Sequence, residues 1–594
     1  MEKLSLWDII FKRDEEDISV AKSFFSREIS GTMSKDFKRI TSTRTFQFFK
    51  RVAHLIAHVS ARVYGALLIS FGIVSTFMYF LGLSADEGIA TPIIGIVLCC
   101  ISVPFLLADK PLPILLQDFS VTDYLFFEFF CMKRHTVREN DRSFPIIASV
   151  IVGIIPGILS AFIPLWQIAL AIGVIICVYV GMEAPEFIFL ASLFALPYLR
   201  YIPNSDVWLC CAVAIAFISF VRKVTYGKRV LNIEQYDIFI GLMMLFVLIS
   251  GIFVKGMESF SGSIRMITLC LGYILAGNII TNRRLAERTV GSIVISGALA
   301  SLTSIVQLAV VLLQPVAEHS EIDLSVVLAR FDGMAVFLIT ALVFSFGMIK
   351  HSQMPARGVH IVSAVLCLIA LIISGEVFAL FAAIFGLGVF AIMKLNKLAP
   401  IILPPLVFTP LLLLLLPNEW LNSMFSYSPS IVSAENLFEL WGNSLSAFLD
   451  NFFVGIGIGS ESFAEEMAAF GMFGYPDSSN LLIEIGLEAG AFALIFFLSI
   501  LIIRLKHRSR YYLYVRNSQI EHLSILSGTC LFCLLSFGMV NYIWSEISAY
   551  YLFWCVFGIG SATLRVARKD YDDRVLYYEE SSDVDSSVID IEIG

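Results

Sequence analysis

Apolar runs of roughly 18 residues or more recur along this chain from Gly65 onwards. A helix of about 20 residues spans the ~30 Å hydrocarbon core of a bilayer, so each run is long enough to cross a membrane. A transmembrane β-barrel would instead show segments of about 10 residues with alternating polarity. Only 15% of the 594 residues are charged, against about 25% in soluble domains. We therefore expect an all-α polytopic membrane protein.

The apolar pattern predicts about sixteen transmembrane helices. Their expected positions are 62–83, 90–107, 144–164, 166–183, 185–199, 206–222, 235–254, 263–281, 290–313, 331–349, 357–374, 376–394, 400–416, 480–503, 523–543 and 548–565. Residues 1–60 are polar and basic and are expected at an anionic membrane surface. Residues 567–594 are acidic and are expected to be disordered. We expect no cleavable signal peptide, because the first apolar run starts near residue 61.

Basic residues collect in the loops on one side of these spans. The groups lie at 133–142, 222–229, 283–288, 350–357, 394–397 and 504–510. Since Lys and Arg concentrate in cytoplasmic loops, this alternation predicts that both termini are cytoplasmic. It also places the segment 417–479, between spans 13 and 14, on the external side. Residues 112–135 are amphipathic and aromatic, which predicts a cytoplasmic interfacial helix.

The cysteines and the net charge limit the expected cofactors and partners. Most of the 11 cysteines lie inside apolar runs, where cysteine behaves as a small buried side chain. Cys530-x-x-Cys533 has no histidine or second pair nearby, so no metal or other cofactor is expected. The net charge of −8 lies largely in the C-terminal tail and gives no indication of nucleic-acid binding. Membrane lipids are the expected partners.

The external segment 417–479 is the longest polar interruption and carries the candidate chemistry. It leads into Asp477-Ser478-Ser479-Asn480, in which Asp477 is a candidate general base if it is partly desolvated. Otherwise Asp477 is expected to cap the following span. Gly455-Ile-Gly-Ile-Gly459 has no βαβ unit around it, which excludes a dinucleotide fingerprint and favours a tight turn. Ser462-x-x-Glu465 predicts a capping box.

Cationic groups on the predicted external side are few. Arg265 and Arg330 lie at the mouths of two spans, where a lone arginine commonly anchors a helix at the interface. Two guanidinium groups that face one loop are also suited to clamp a pyrophosphate. His319 is the only histidine that this topology places outside. The sequence leaves both roles open for the arginines.

The C-terminal two-thirds of the chain resembles the bacterial O-antigen ligase and polymerase family of membrane proteins. Asp450-Asn-Phe-Phe-Val-Gly-Ile-Gly-Ile-Gly-Ser460 is similar to the family's stretch of an aspartate, two apolar residues and three alternating glycines. Ser479-Asn480, nine residues and then Gly490 have the spacing of the family motif His-Asn-x9-Gly-x-x-Gly. Arg265-x-x-x-Leu269 fits a short family pattern.

This resemblance implies a fold, a reaction and a location. The fold is a twelve-helix, GT-C-like core over residues 185–566, preceded by an additional four-helix region over residues 61–184. The reaction is attack by an acceptor hydroxyl on the anomeric carbon of a glycan carried by undecaprenyl pyrophosphate, without a required nucleotide or metal. The location is the bacterial cytoplasmic membrane.

The resemblance also assigns roles to individual residues. Arg265 and Arg330 would contact the phosphates of the donor. Asp477 would act as the base, with Glu435 or His319 as alternatives. These assignments require the residues to converge on one external site.

Ser479 and Asn480 would position the acceptor, and here the chain departs from the family. Ser479 stands where relatives have a catalytic histidine, and Ala493 stands where they have the second motif glycine. Two alternatives therefore stay open. One is a polysaccharide or lipid transporter (a flippase), and the other is a non-catalytic relative that serves as a membrane scaffold.

Overall fold

A computed structural model describes a large part of the chain. It covers residues 59–83, 90–108, 110, 112–130, 146–164, 167–168, 184–202, 204–226, 229, 231–254, 256–313, 334–352, 354, 356–374, 376–395, 406–409, 411, 434–511 and 519–567. These residues form helices and no β-strand, which confirms the all-α prediction for the part of the chain described. The basic N-terminal segment, the acidic tail and most of the predicted spans 166–183 and 400–416 lie outside the described residues.

Each predicted span that the structure describes in full or in large part is helical over most of its described length. The α-helices are α1 Ala61–Phe80, α2 Ala90–Leu107, α3 Leu112–Asp118, α4 Ile146–Leu159, α5 Pro185–Ala195, α6 Ser205–Thr225, α7 Gln235–Phe253, α8 Gly256–Ile279, α9 Arg283–Leu313, α10 Ala335–Met348, α11 Ala356–Ile373, α12 Val377–Leu395, α13 Ala434–Asp450, α14 Ser460–Ala469, α15 Leu481–Tyr511, α16 Gln519–Phe537 and α17 Ile547–Ala567. A short helix, Ser120–Thr122, and a π-helix, Asp123–Phe129, follow α3, and a 3-10 helix, Leu196–Tyr201, follows α5.

Eight of the described helices are long and apolar enough to cross a membrane. They are α1, α6, α7, α8, α9, α11, α15 and α17 over most or all of their lengths. This supports a polytopic membrane protein, since each of the eight provides the apolar length that a bilayer requires. The total of about sixteen spans and the sidedness of the loops stay predictions.

Two compact units divide the described residues, and the smaller one falls within 27–188 and 215–229. In this unit α1 packs against α2 and α4. The buried carboxylate of Glu186 accepts hydrogen bonds from Lys223 at 2.8 Å and from Arg229 at 2.6 Å. Two cations thus offset the cost of burying this one charge.

The larger unit falls within 189–214 and 230–594 and contains α13 and α14, the described helices of segment 417–479. α7 packs along α15 and α8, α10 packs against α11 and α16, and α13 packs against α15. α17 is the most deeply buried of the eight candidate spans, with 83% of its apolar window enclosed. It therefore lies at the centre of this unit.

The two ends of the larger unit differ in chemistry. At one end, Arg504 lies over the rings of Tyr236 and Phe557, at 6.0 and 5.4 Å from their centroids. Arg565 pairs with Glu234 at 3.8 Å at the same end. At the opposite end of the unit, α7, α8 and α15 meet α13, α14 and the Asp477 turn. The carboxylates of Asp477, Glu484 and Glu488 accept hydrogen bonds there.

Candidate active site

Helix α13 holds the Asp477 turn in place through its tryptophan. The buried side of this helix is formed by Leu437, Leu440, Ser444 and Ala447. Trp441 lies beside this face, and its Nε1 donates a hydrogen bond of 2.9 Å to the carbonyl of Ser478. Trp441 is partly buried, and this hydrogen bond ties the turn to α13.

Asn480, rather than Asp477, is the N-cap of α15. Its Oδ1 accepts hydrogen bonds from the N–H of Leu482 at 3.0 Å and of Ile483 at 3.2 Å. Its Nδ2 donates to the carbonyl of Met539 at 2.8 Å. The expected capping role of Asp477 is therefore wrong, because the asparagine directly before the helix satisfies the free N–H groups. Asn480 is buried with both ends of its amide bonded to protein.

Asp477 forms a local turn with Ser479. Its Oδ1 accepts the N–H of Ser479 at 2.9 Å, and Ser479 has φ of +53° in the left-handed region. Burial raises the pKa of Asp477 to about 6, although hydrogen bonds from Ser479 act in the opposite direction. Such a carboxyl is ionised at neutral pH yet basic enough to accept a proton, as expected for a general base.

Two further carboxylates, Glu484 and Glu488, lie on α15 directly below this turn. Glu484 is 1% exposed, and its Oε2 accepts the N–H of Ser478 at 2.8 Å. Glu488 is 5% exposed; it accepts the N–H of Gly459 at 3.1 Å and the hydroxyl of Tyr542 at 2.7 Å. Neither residue belongs to the motifs from which the site was predicted. Their spacing of four residues does predict that both side chains lie on the same face of a helix.

Helix α15 is broken at Gly490, which has φ of +82° and ψ of 171°. The break leaves backbone carbonyl groups of α15 without helical partners. The turn Gly455–Gly459, here called the glycine turn, supplies N–H donors to them. Ile456 N–H donates to the Leu487 carbonyl at 2.8 Å, and Gly457 N–H donates to the Glu488 carbonyl at 3.3 Å. The turn and the broken helix therefore pair backbone to backbone, which is how non-helical backbone is tolerated at membrane depth.

Glycine is required at two positions of this pairing. A Cβ on Gly455 would lie 2.5 Å from the carbonyl oxygen of Glu488, and one on Gly490 would lie 2.4 Å from that of Phe453. Both residues also have positive φ, which L side chains disfavour. The predicted tight turn with close backbone approach is confirmed.

The predicted capping box at Ser462 is wrong. α14 begins at Ser460, its N-cap is Gly459 with φ of +117°, and no side chain caps it. Ser462 lies inside the helix. The distant carboxylate of Glu488 binds the N–H of Gly459, so a tertiary contact fixes the helix start.

Arg265 does not contact the Asp477 turn. Within the described residues its hydrogen bonds are to Asp206 at 3.4 Å and to Ser261 at 3.5 Å. The side chains of Arg265 and Asp206 are both partly exposed. Arg330, His319 and the side chain of Glu435 lie outside the described residues. The described part of the chain contains no group of three or more His, Cys, Asp or Glu arranged to hold a metal ion.

Comparison with known protein families gives one match in the part of the chain that forms this site. Residues 362–498 match the family model described as O-Antigen ligase. The matched segment is less than half of the chain, and it includes α13, α14, the Asp477 turn and the broken part of α15. It confirms the resemblance inferred from the motifs. No curated protein matches the chain in a sequence comparison.

Proposed function

Because this membrane protein carries an O-antigen ligase-like domain at residues 362–498, we propose that it transfers or polymerises glycan in surface-polysaccharide assembly. The donor is a glycan on an undecaprenyl-pyrophosphate carrier, at the external face of the bacterial cytoplasmic membrane. One observation carries this proposal. The matched segment contains a partly buried carboxyl, Asp477, whose pKa is raised to about 6, on a turn that α13 and α15 hold in place.

The chemistry follows from the position of Asp477. An acceptor hydroxyl attacks the anomeric carbon of the donor and forms the new glycosidic bond. The bond between that carbon and the phosphate oxygen breaks, and the carrier leaves as its pyrophosphate. The acceptor proton passes to the carboxylate of Asp477. General base catalysis of this kind contributes about 10²–10⁴-fold to a rate.

The leaving pyrophosphate requires cationic groups. Arg265 supplies one if a phosphate oxygen replaces Asp206, whose contact at 3.4 Å is between partly exposed side chains and is therefore weak. Guanidinium geometry suits two phosphate oxygens at once. Arg330 is the proposed second cation.

Transport is the second candidate, and the break at Gly490 favours it, since discontinuous spans line many transport sites. However, the carbonyls at this break already accept hydrogen bonds. The carbonyl of Glu488 accepts from Ser250 Oγ at 2.5 Å in addition to Gly457, and that of Leu487 accepts from Ile456. Because these carbonyl groups are bonded within the protein, they are not free to bind a transported substrate. We therefore favour the transferase.

A genetic complementation experiment tests the proposal. Deleting the gene in its host should shorten or remove a surface polysaccharide and increase the amount of carrier-linked glycan. The wild-type chain and the surface variant Glu439→Gln should restore the polysaccharide, whereas Asp477→Asn should not. An unchanged polysaccharide in the deletion strain would rule out the proposed function. Restoration by Asp477→Asn would favour a scaffold or transporter.

A further inference from the structure

The guanidinium of Arg504 faces the interior of the larger unit, near the end of α15 that is remote from the Asp477 turn. Its central carbon is 5.4 Å from the ring centroid of Phe557 and 6.0 Å from that of Tyr236. Both residues are buried, with no more than 1% of either exposed. An arginine that only anchors a helix at a membrane surface extends its charged head into water. Arg504 instead lies against buried rings of α7 and α17.

The position of this guanidinium is fixed from several sides. The rings of Tyr236 and Phe557 contact each other at 5.4 Å with their planes at 85°, so they form a corner that receives the cation. The Tyr236 hydroxyl donates a hydrogen bond of 2.6 Å to Ser561 Oγ, which holds that ring. A Cβ on Gly560 would lie 2.4 Å from Nη2 of Arg504, so the absence of a side chain there lets the guanidinium lie against the α17 backbone. The cation is therefore held in place before any ligand arrives.

This cation has no anionic partner in the part of the chain that the structure describes, where Arg504 makes no hydrogen bond and no ion pair. Two carboxylates at the same end of the unit have other partners. Glu234 pairs with Arg565 at 3.8 Å, while Asp237 accepts the N–H of Glu234 at 2.7 Å and the hydroxyl of Tyr273. Ring faces attract a cation but do not accept its N–H groups in the way that an oxygen does. Arg504 is only partly buried, so a ligand from outside can reach these donors.

The chemistry of the position favours a phosphate group as that ligand. A guanidinium presents its N–H donors in a planar fork that matches two phosphate oxygens. Lys506, Arg508 and Arg510 follow Arg504 on the same end of α15, so positive charge surrounds the approach. These residues form one of the basic groups from which the cytoplasmic side is predicted, and the cytoplasmic leaflet carries anionic phospholipid.

We propose that Arg504 binds a phosphate group at this end of the larger unit, carried by an anionic phospholipid or by a soluble phosphate compound. The phosphate accepts hydrogen bonds from the guanidinium, which keeps its contacts with Phe557 and Tyr236. Its charge compensates the cation that α7, α15 and α17 hold between them, so binding stabilises their packing. Arg504 is 14 residues beyond Gly490, or about 21 Å along the helix axis, and the proposal does not depend on glycan transfer.

Native mass spectrometry of the delipidated full chain in detergent tests the lipid source. The probes are phosphatidylglycerol and diacylglycerol with the same acyl chains, which lacks the phosphate. Arg504→Gln removes the charged fork, and Arg357→Gln, which removes an exposed arginine from the first turn of α11, is the matched control. We expect Arg504→Gln to bind its first phosphatidylglycerol about tenfold more weakly than the wild type and the control do. Diacylglycerol should bind equally weakly to all three proteins, and equal binding of both lipids by the wild type would exclude the lipid source.

Inorganic phosphate tests the soluble source. If the site takes soluble phosphate, millimolar phosphate should raise the unfolding temperature of the wild type and of Arg357→Gln but not that of Arg504→Gln. Dependence on Arg504 with phosphatidylglycerol alone identifies a lipid headgroup, and dependence with inorganic phosphate identifies a soluble ligand. The proposal is overturned if neither probe distinguishes the wild type from Arg504→Gln, or if Arg357→Gln loses as much binding.

A second variant decides the matter even if Arg504→Gln does not fold. Arg504→Lys keeps the positive charge beside Tyr236 and Phe557 but loses the planar fork. It should bind whichever probe the wild type binds about threefold more weakly, because a single ammonium replaces two parallel N–H donors. Wild-type affinity in Arg504→Lys would contradict the proposed contact between the fork and the phosphate.

Discussion

The hydroxyl of Tyr542 donates a hydrogen bond of 2.7 Å to the carboxylate of Glu488, although 54 residues separate them in the chain. The other carboxylate oxygen accepts the N–H of Gly459. Glu488 thus connects the break in α15 to the turn before α14 and to the segment after α16. Three chain segments meet at one buried side chain, so this contact organises the site.

Removing the carboxylate should destabilise the protein. In Glu488→Ala the N–H of Gly459 and the hydroxyl of Tyr542 lose a buried acceptor, which costs about 1–3 kcal/mol for each group left unsatisfied. Thermal unfolding of the detergent-solubilised protein measures the effect. The exposed residue Glu439 on α13 provides the control, and Glu439→Ala should change stability by less than about 0.5 kcal/mol. Equal unfolding temperatures for the two variants would contradict this role for Glu488.

Substitution of the glycine turn should be far more harmful than substitution of a glycine in a helix. Gly455→Ala places a Cβ 2.5 Å from the Glu488 carbonyl at φ of +80°, so it should destabilise by more than about 1–2 kcal/mol. Gly442 lies inside α13 with open space around its Cβ position. Gly442→Ala should therefore stabilise by about 0.5–1 kcal/mol. The unfolding temperatures should move in opposite directions, and a parallel shift would argue against the backbone pairing at Gly490.

The left-handed backbone of Ser479 determines which residues this position accepts. Ser479→Gly should be at least as stable as the wild type, because glycine adopts positive φ without steric cost. Ser479→Val should be less stable than Ser479→Gly by about 1–2 kcal/mol, because a β-branched side chain opposes this conformation. Histidine is comparatively tolerated at positive φ, so Ser479→His should keep the turn intact. Equal unfolding temperatures for the Gly and Val variants would show that the turn relaxes.

The raised pKa of Asp477 has a defined effect on stability. The folded pKa of about 6 exceeds the ordinary value of 3.8, so the folded protein binds this proton more tightly than the unfolded chain. The free energy of unfolding therefore falls as the pH rises from about 4 to about 6. Above that range, titration of Asp477 changes it no further. Asp477→Asn has no such proton. Unfolding temperatures of the wild type and the variant, measured across this window, should diverge, and parallel curves would contradict the burial of Asp477.

The helices could be predicted from the sequence because apolar length determines them. The span expected at 235–254 is α7, Gln235–Phe253, and the span expected at 357–374 is α11, Ala356–Ile373. The break at Gly490 could not be predicted in the same way, since the apolar pattern gives a single span over 480–503. It depends on hydrogen bonds from Ile456 and Gly457, which only the folded chain brings to α15.

The candidate site was predictable only in part, for a similar reason. Asp477, Ser479 and Asn480 are neighbours in sequence, so the motif alone places them together. The pairing of Arg265 with Asp206 joins residues 59 positions apart, and no local pattern indicates it. Likewise Ser462 has the spacing of a capping residue, but Glu488 from another helix binds the start of α14 instead.

Glycan transfer by the purified full chain tests the central claim most directly. Lipid-linked oligosaccharide extracted from host cells that lack this protein serves as donor and acceptor, and longer or ligated products are measured by mass spectrometry. The wild type should form product at a rate that rises as the pH passes through about 6. Asp477→Asn should lower that rate by at least ~100-fold while its unfolding temperature shows that it remains folded. Product formation by Asp477→Asn at the wild-type rate would contradict the account.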